Sequence, residues 1–218
     1  TRYYLNGVYL HGAEGGKLRA VATDGHRLAL ADADAPKGAE SLPGVIVPRK
    51  AVGEIRRLLD DAPESVVMAF SDTKIVIRVG EAELISKLID GSFPDYSRVI
   101  PKDNQQMLVI DKADFKGAVD RVATVSAERS RSVKLSLESG KVVLQVSNAE
   151  TGQGVEELEA EYDGEPMEIG FNARYLLDVA GQIEGDEAKF ELNDSSSPAR
   201  VVDSADPAAQ YVLMPLRV

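Results

Sequence analysis

The feature that most constrains the fold of this chain is a repeat in which a short apolar strand runs directly into an amphipathic helix. This strand–helix repeat occurs at residues 45–61, 107–126 and 167–185. Its strand-to-helix junctions lie near Arg49, Lys112 and Ala173, so the period is about 60 residues, the length of a supersecondary unit in tandem architectures. A tandem repeat without a catalytic cluster indicates a protein whose function depends on its shape.

Alternating apolar and β-branched residues predict strands around each helix. The predicted strands are residues 3–10, 18–23, 26–31, 66–71, 75–79, 82–88, 133–137, 142–147, 155–162, 188–192, 199–203 and 210–216. Short turns separate many of them, and the Asp24-Gly25 pair is typical of a tight turn. Hairpins imply antiparallel strands, so the predicted class is α+β, built from β-α-β-β-β units in tandem.

Each predicted helix has one apolar stripe that can cover a sheet face, with polar residues on its other side. The stripes are Val52, Ile55, Leu58 and Leu59; Phe115, Ala118, Val119 and Val122; and Leu176, Leu177, Val179, Ala180 and Ile183. Residues 90–105 contain Gly91, Pro94 and Pro101 and little periodicity, which is typical of a linker. We therefore predict two domains, 1–102 and 103–218, the first of which begins inside a repeat.

The distribution of charge argues against general coating of nucleic acid but leaves a local contact open. The net charge is −11, whereas phosphate binding depends on lysine and arginine. Residues 110–134 nevertheless carry six basic side chains against four acidic ones, and residues 150–168 carry eight acidic side chains and no basic one. The basic side chains are Lys112, Lys116, Arg121, Arg129, Arg131 and Lys134. A basic face of this kind can meet a polyanion, although two solvated surfaces of opposite sign are the simpler interpretation.

Residue usage excludes several classes of protein. The chain has no cysteine, no apolar run long enough to cross a bilayer and no signal-peptide pattern at its beginning. These features favour a cytoplasmic protein without disulfides, metal-binding thiolates or a membrane anchor.

Side chains that could support catalysis are few. Asp24, His26 and Arg27 form the one local acid–imidazole–guanidinium cluster, and His11 is distant in sequence. No nucleophile elbow, phosphate-binding glycine loop or metal-spaced set accompanies the cluster. A small hydrolase centred on Asp24 and His26 remains an alternative, but a polar turn or binding surface is favoured, and the serine run 195–197 is interpreted as a loop.

The last eight residues are apolar almost to the end of the chain, whereas termini are usually polar. Pro215 cannot continue a central strand, so Leu216 and Val218 are predicted to be exposed beside Arg217. An exposed apolar patch next to a charged side chain is typical of a peptide-docking groove.

Several motifs resemble one family along the whole chain. They are RYYLNG at 2–7, ATDGHRL at 22–28, VPRK at 47–50, SKL at 86–88, FPDY at 93–96, IGFN at 169–172 and MPLR at 214–217. Together they resemble the bacterial sliding clamp, the beta subunit of the replicative DNA polymerase III. The resemblance covers the family's second domain without its first strand and helix, together with the complete third domain.

The resemblance implies a DNA-clamp fold in which sheets form the outer rim of a ring and helices line its inner face. The expected protein is a head-to-tail homodimer that encircles duplex DNA without sequence preference. It is not an enzyme and needs no cofactor or metal. Its expected partners are the replicative polymerase catalytic subunit, the clamp loader, translesion polymerases and mismatch-repair proteins. The present chain alone is expected to be mainly monomeric, because the first domain, to which the third binds in the ring, is absent.

The resemblance also implies two sets of site residues. Those expected at DNA are Tyr3, Tyr4, Arg49, Lys50, Lys112 and Lys116, with Arg56, Arg57, Arg121 and Arg174 as further basic residues on the helices. Strand packing is the alternative for the two tyrosines. The expected peptide-binding cleft comprises Leu5, Thr23, Gly25, His26, Arg27, Leu28, Pro94, Arg98, Val99, Asn172, Tyr175, Val212, Leu213, Met214, Pro215, Leu216 and Arg217.

The cleft is expected to bind a short motif with a glutamine and a hydrophobic pair. Apolar walls would supply affinity, and a few polar groups would fix orientation. Leu213 and Leu216 stand where other members often have Val and Met, and Pro198 replaces a small polar residue, so the preferred motif is open. A structural module without a role at DNA is the remaining alternative.

Overall fold

A computed structural model of the protein describes residues 2–39, 42–60, 65–126 and 132–218. Within these ranges the backbone divides into two units. The first unit runs to Gly25 and resumes at Leu30–Asp95, and the second contains His26–Ala29 and Tyr96–Val218. Four residues from the early part of the sequence therefore pack with its later half. Asp61, the predicted end of the first repeat, lies outside the described residues.

The first unit contains two sheets and one helix. After a 3-10 turn at Tyr3–Leu5 come β1 (Gly7–Ala13), β2 (Lys17–Thr23), β3 (Arg27–Asp34), β4 (Val45–Pro48), α1 (Arg49–Asp60), β5 (Val67–Phe70), β6 (Lys74–Val79) and β7 (Ala82–Lys87). Of β3, the part from Leu30 onward belongs to this unit. One sheet has the order β4-β1-β2-β3 and the other the order β5-β6-β7. The core between β4, α1 and β6 consists of Val45, Val47, Ala51, Ile75, Ile77 and Val79.

The second unit contains two sheets and two helices. Its elements are β8 (Gln106–Asp111), α2 (Lys112–Ala123), β9 (Ser132–Glu138), β10 (Lys141–Asn148), β11 (Gly152–Glu159), β12 (Glu161–Tyr162), β13 (Met167–Asn172), α3 (Ala173–Ala180), β14 (Glu187–Leu192), β15 (Ala199–Val202) and β16 (Ala209–Leu213). One sheet has the order β11-β10-β9-β13. The other contains β12-β8-β14-β15-β16.

The two strand–helix repeats of the second unit exchange their strands. β8, which leads into α2, pairs with β14, and β13, which leads into α3, pairs with β9. Both pairs are antiparallel, and α2 packs beside α3. Because each repeat completes the sheet of the other, neither half of this unit can form its full sheet alone. The α+β prediction is confirmed.

The sequence also explains where the helices of the second unit begin. The Asp111 carboxylate accepts the Asp114 N–H at 2.8 Å, and the Asn172 side chain accepts the Arg174 N–H at 3.0 Å. Each side chain satisfies a backbone donor that has no partner within the helix. The apolar stripe predicted for α2 is confirmed, because Phe115, Ala118, Val119 and Val122 are all buried.

Most predicted strands differ from the structure by a few end residues, and three of the differences have a clear local cause. Tyr3–Leu5 is a 3-10 turn in which the Leu5 N–H bonds to the Arg2 carbonyl, and β1 begins only at Gly7. The predicted strand 155–162 is interrupted at Ala160, whose N–H bonds to the Gly140 carbonyl. The predicted strand 210–216 ends at Leu213, because Pro215 has no N–H to continue the ladder.

One helix residue was assigned to the wrong face. Leu59 was predicted on the apolar stripe of α1 but is 44% exposed. Ala51 lies on the buried side of the helix instead. Leu59 is next to the last residue of α1, and it is not among the α1 side chains that pack in or against the core of the first unit, which are Ala51, Val52, Ile55 and Leu58. None of the helices in the described ranges has the length and apolar character needed to cross a membrane.

Asp203 is a buried carboxylate that fixes two loops of the second unit. It is 3% exposed and accepts backbone N–H groups from Glu184, Gly185 and Ala205. Burial alone would raise the pKa of Asp203, but these hydrogen bonds together outweigh it and hold the pKa below its usual value. A lowered pKa in the folded state stabilises the fold above the pKa of the unfolded chain. That stabilisation is lost as the pH falls through the folded-state pKa.

We expect Asp203→Asn to lower the free energy of unfolding at pH 7 by about 1–3 kcal/mol, because the amide has one acceptor oxygen for three donors. The difference from the unmodified chain should shrink when the pH is lowered from 7 to about 3, below the usual aspartate pKa of about 3.9, because the stabilisation from the charge is lost progressively between that pKa and the lower folded-state pKa. Urea denaturation at both pH values measures this, with the exposed Asp103→Asn as control. A difference that stays constant with pH would contradict the role assigned to the charge.

Candidate peptide-docking surface and basic helix faces

The last residues of the chain form a tail segment, residues 214–218, that crosses from one sheet of the second unit to the other. β16 ends at Leu213, and the Met214 N–H then donates to the His26 carbonyl at 2.9 Å. The Leu216 N–H donates to the Gly170 carbonyl of β13 at 2.8 Å. Pro215 has no N–H. Every backbone donor of residues 214–216 is therefore used.

The tail segment exposes apolar side chains although its backbone is held. Met214 is 38% exposed, Leu216 37% and Val218 61%. Their exposure agrees with the prediction for Leu216 and Val218. Val212 and Leu213, which precede the tail, are 2% and 1% exposed and therefore belong to the interior. The apolar surface at this end of the second unit is thus formed by the tail rather than by β16.

The Arg27 side chain packs against helix α3 of the same unit. The Arg27 guanidinium is 2.5 Å from the Asp178 carboxylate and lies 4.3 Å from the centroid of the Tyr175 ring. Tyr175 and Asp178 are three residues apart and therefore share a helix face. A partly exposed pair of this kind contributes about 0–1 kcal/mol to stability. Its main effect is to fix the direction of a cation and an aromatic ring.

The other predicted cleft residues are divided between the units. In the second unit, Leu28 is buried, whereas Arg98 and Val99 are exposed. The predicted residues of the first unit are Leu5, Thr23, Gly25 and Pro94. There, the Thr23 hydroxyl accepts the Gly25 N–H at 3.1 Å, and Gly25 has a φ of +89°, a conformation that glycine adopts at little cost.

Sequence reasoning missed the contributions of Gly170 and Asp178. Gly170 was noted as part of a motif, but its contact with the tail arises between strands distant in sequence. The spacing of Tyr175 and Asp178 on α3 was a readable signal, since residues three apart face the same way. Their partner Arg27 lies about 150 residues earlier, and nothing in the local pattern connects it to α3.

Helix α1 carries cations at the end where they oppose the helix dipole. Arg49 and Lys50 occupy its first turn, are exposed, and have no acidic neighbour in that turn. Basic residues there cost a helix some stability, but their charges add to the positive end of the helix dipole, which suits an anion. A shallow depression of about 480 Å³ lies at this end of α1. Its lining includes Asn6, Arg49, Lys50, Glu54 and Arg57.

The tyrosines predicted at DNA lie in the same unit as α1. Tyr3 is 62% exposed, and Tyr4 is half-buried. Their rings meet edge-on with centroids 5.7 Å apart. They belong to a turn rather than a strand, so the alternative of strand packing does not apply to them.

The predicted basic residues of the second unit differ in availability. Lys116 and Arg174 are exposed. The Lys112 ammonium donates to the Ile183 carbonyl at 3.1 Å, and Arg121 forms a bidentate pair with Glu156 at 2.9 and 3.1 Å. The charged groups of Lys112 and Arg121 therefore already have hydrogen-bond partners within the protein. Arg129 and Arg131 lie outside the described residues.

The alternative sites for catalysis find little support. Asp24 and His26 are both exposed, whereas a general base usually works where solvent is limited. The hydroxyls of Ser196 and Ser197 both donate to the Asp194 carboxylate, which defines the serine run as a turn. Within the described ranges, no group of three or more acidic or histidine side chains is placed to hold a metal ion.

Comparison with known proteins gives the family. Residues 1–95 match the family model of the DNA polymerase III beta subunit, central domain, and residues 97–217 match that of its C-terminal domain. The Beta sliding clamp of Caulobacter vibrioides is 62% identical over 221 residues, and that of Escherichia coli K12 is 41% identical over 220. Each alignment covers all of this chain and 59% of the relative.

Solved structures agree with this relationship. A crystal structure of the C. crescentus beta sliding clamp has a TM-score of 0.96 at 61% identity, covering 100% of this chain and 58% of that one. A sliding clamp from Bartonella birtlesii bound to griselimycin has a TM-score of 0.97 at 50% identity, covering 100% and 60%. The chain spans about three-fifths of the length of these relatives. It belongs to the family of the DNA polymerase III beta subunit, the bacterial beta sliding clamps.

Proposed function

We propose that this chain is the portion of a DNA sliding clamp that carries its partner-docking surface and part of its DNA-facing surface. The observation that carries the proposal is the membership of both units in the clamp family along the whole chain. The complete protein would encircle duplex DNA and hold polymerases to it. It would act as a non-catalytic subunit, so the exposed Asp24 and His26 need no catalytic role.

Contacts with DNA would be electrostatic and independent of sequence. Arg49 and Lys50 at the start of α1, with Lys116 and Arg174 on α2 and α3, are exposed cations on helices. Phosphates repeat uniformly along a duplex, so cations that touch them alone permit sliding. Tyr3, Tyr4 and Lys112 complete the proposed set. Lys112 would first have to release the Ile183 carbonyl, so we expect it to contribute least.

Docking of partners would use the tail segment and the start of α3. Met214 and Leu216 offer apolar contacts, and Arg27, Asn172 and Tyr175 offer polar or aromatic ones. This combination suits a short linear motif with a glutamine and a hydrophobic pair. The flexible thioether of Met214 would allow several such motifs to bind.

The partners of the complete protein follow from the same proposal. They are duplex DNA, the polymerase catalytic subunit, the clamp loader, translesion polymerases and mismatch-repair proteins. The complete protein would be a homodimer that acts in the cytoplasm. The two domains of this chain would be the middle and C-terminal domains of each subunit.

We expect a labelled peptide that contains a glutamine and a leucine–phenylalanine pair to bind this chain at micromolar strength. Met214→Ala should weaken binding about tenfold, because a partly exposed apolar contact is lost. Met68→Ala is the matched control, since Met68 is 37% exposed on β5 and outside the proposed cleft. Fluorescence anisotropy measures the affinity.

The same assay on Leu28→Ala requires a check of folding, because Leu28 is 4% exposed and its truncation also leaves a cavity. Weaker binding by a variant that remains folded would support the cleft. No binding by the unmodified chain would exclude the cleft assignment. Equal effects of Met214→Ala and Met68→Ala would also exclude it.

The proposed DNA contacts can be tested in a closed ring. A chimera in which this chain replaces the matching part of the C. vibrioides clamp should, once loaded, stay on nicked circular DNA and leave it after linearisation. Arg49→Glu with Lys50→Glu should shorten retention at moderate salt, because each lost phosphate contact removes about one unit of salt dependence. Gel filtration of clamp–DNA complexes measures retention.

Lys74→Glu with Arg78→Glu is the charge-matched control for this experiment. Both residues are exposed on β6 and lie outside the proposed DNA set. Equal losses with the two double variants would show that the total charge, and not the start of α1, controls retention. A chimera held equally well on circular and linear DNA would favour a module that does not encircle DNA.

A further inference from the structure

The tail segment contacts the outer edge of β13, and one residue makes that contact possible. Among the described residues, β13 is the last strand of the sheet β11-β10-β9-β13, so one of its edges has no other strand of this sheet beside it. Leu216 forms an isolated antiparallel bridge with Gly170 on β13. The tail thereby connects the open edge of one sheet to β16, which belongs to the other sheet of the same unit.

Gly170 has no room for a side chain. A Cβ atom on Gly170 would lie 2.3 Å from the Val218 Cγ1 atom and 2.7 Å from the Leu216 carbonyl oxygen. Both distances are far below van der Waals contact, and the second involves backbone, which cannot turn aside as a side chain can. The three atoms nearest to this position all belong to the tail. Any larger residue here would therefore move the tail.

The position of the tail determines which apolar atoms a partner can reach. The backbone of residues 214–216 is held by the His26 carbonyl at one end and the Gly170 carbonyl at the other. Met214 and Leu216 are each more than one-third exposed between these two anchors. A segment already held in its binding geometry loses less entropy when a ligand docks.

We infer that Gly170 is a positioning residue for the docking surface, because only glycine there lets the tail lie on β13 and present Met214 and Leu216 together. This inference rests on the proposed function for its ligand, a peptide with a glutamine and a hydrophobic pair. Gly170 itself does not touch the ligand. It acts through the tail.

The direct test is amide exchange by NMR in the unmodified chain and in Gly170→Ala. The Leu216 N–H should be protected in the unmodified chain and should exchange at least about tenfold faster in the variant, since its acceptor is no longer in reach. The Met214 N–H bonds to His26 and should keep its protection. Equal exchange of the Leu216 N–H in both proteins would overturn the inference.

The functional test is a double-variant cycle with the labelled peptide. Gly170→Ala should weaken binding about tenfold, the effect of displacing one apolar contact. In a chain shortened to end at Pro215, Gly170→Ala should have no further effect, because the tail atoms that it would displace are gone. A loss of equal size in the shortened chain would show a general structural effect and would overturn the inference.

Gly53→Ala is the control for a simple glycine-to-alanine change. Gly53 lies on α1, and a Cβ atom there would have no neighbour within 4 Å. Gly53→Ala should leave peptide affinity unchanged.

The proposed function and the role of Gly170 can fail separately. If the unmodified chain binds no peptide, the proposed function fails, while the exchange of the Leu216 N–H still reports on the tail. If peptide binds but that N–H is unprotected, only the present inference fails.

Discussion

The exchange of strands between the two halves of the second unit is the constraint on which its proposed docking surface depends. β8 completes the sheet that follows α3, and β13 completes the sheet that follows α2. This arrangement leaves α2 and α3 side by side and leaves one edge of β13 open. Helix α3, which carries Tyr175 and Asp178, and the strand edge that holds the tail are therefore fixed by the same pairing. A surface on such a scaffold is more precise than one on free loops.

Some basic side chains of the protein form ion pairs with its own carboxylates, and others are exposed to solvent. Lys134, Lys141 and Arg121 lie near strand carboxylates and pair with Glu168, Glu157 and Glu156, whereas Arg49 and Lys50 at the start of α1 are exposed. The acidic strands thus use part of the basic charge of their own unit and present negative potential elsewhere. An acidic protein with a few displayed cations can contact phosphates without holding them tightly. Weak and uniform contacts of this kind are what sliding requires.

Local patterns predicted the parts of the structure that depend on local physics. The period of Phe115, Ala118, Val119 and Val122 identified the buried face of α2, and Pro215 correctly indicated that Leu216 would be exposed, although the predicted strand 210–216 was too long. The turn at Tyr3–Leu5 was predicted as a strand, because tyrosine favours strands and the short Leu5-to-Arg2 hydrogen bond leaves no mark in the sequence. The contacts of Gly170 and Asp178 join distant parts of the chain, so periodicity could not predict them. The proposed cleft residues were assigned by resemblance to the family, not from composition, and remain a prediction.

The two backbone hydrogen bonds of the tail do not by themselves explain why the tail is ordered. Fixing one residue of backbone costs about 1–2 kcal/mol, and a backbone hydrogen bond returns about 0.5–1.5 kcal/mol. Two such bonds do not offset the ordering of residues 214–216, so apolar contact must supply the difference. The Val218 side chain, whose Cγ1 and Cβ atoms lie over Gly170, provides part of that contact. Because Gly170 lets the tail lie close to β13, it also favours the ordered conformation of the tail before any partner binds. A ligand that covered Met214 and Leu216 would then extend an existing contact.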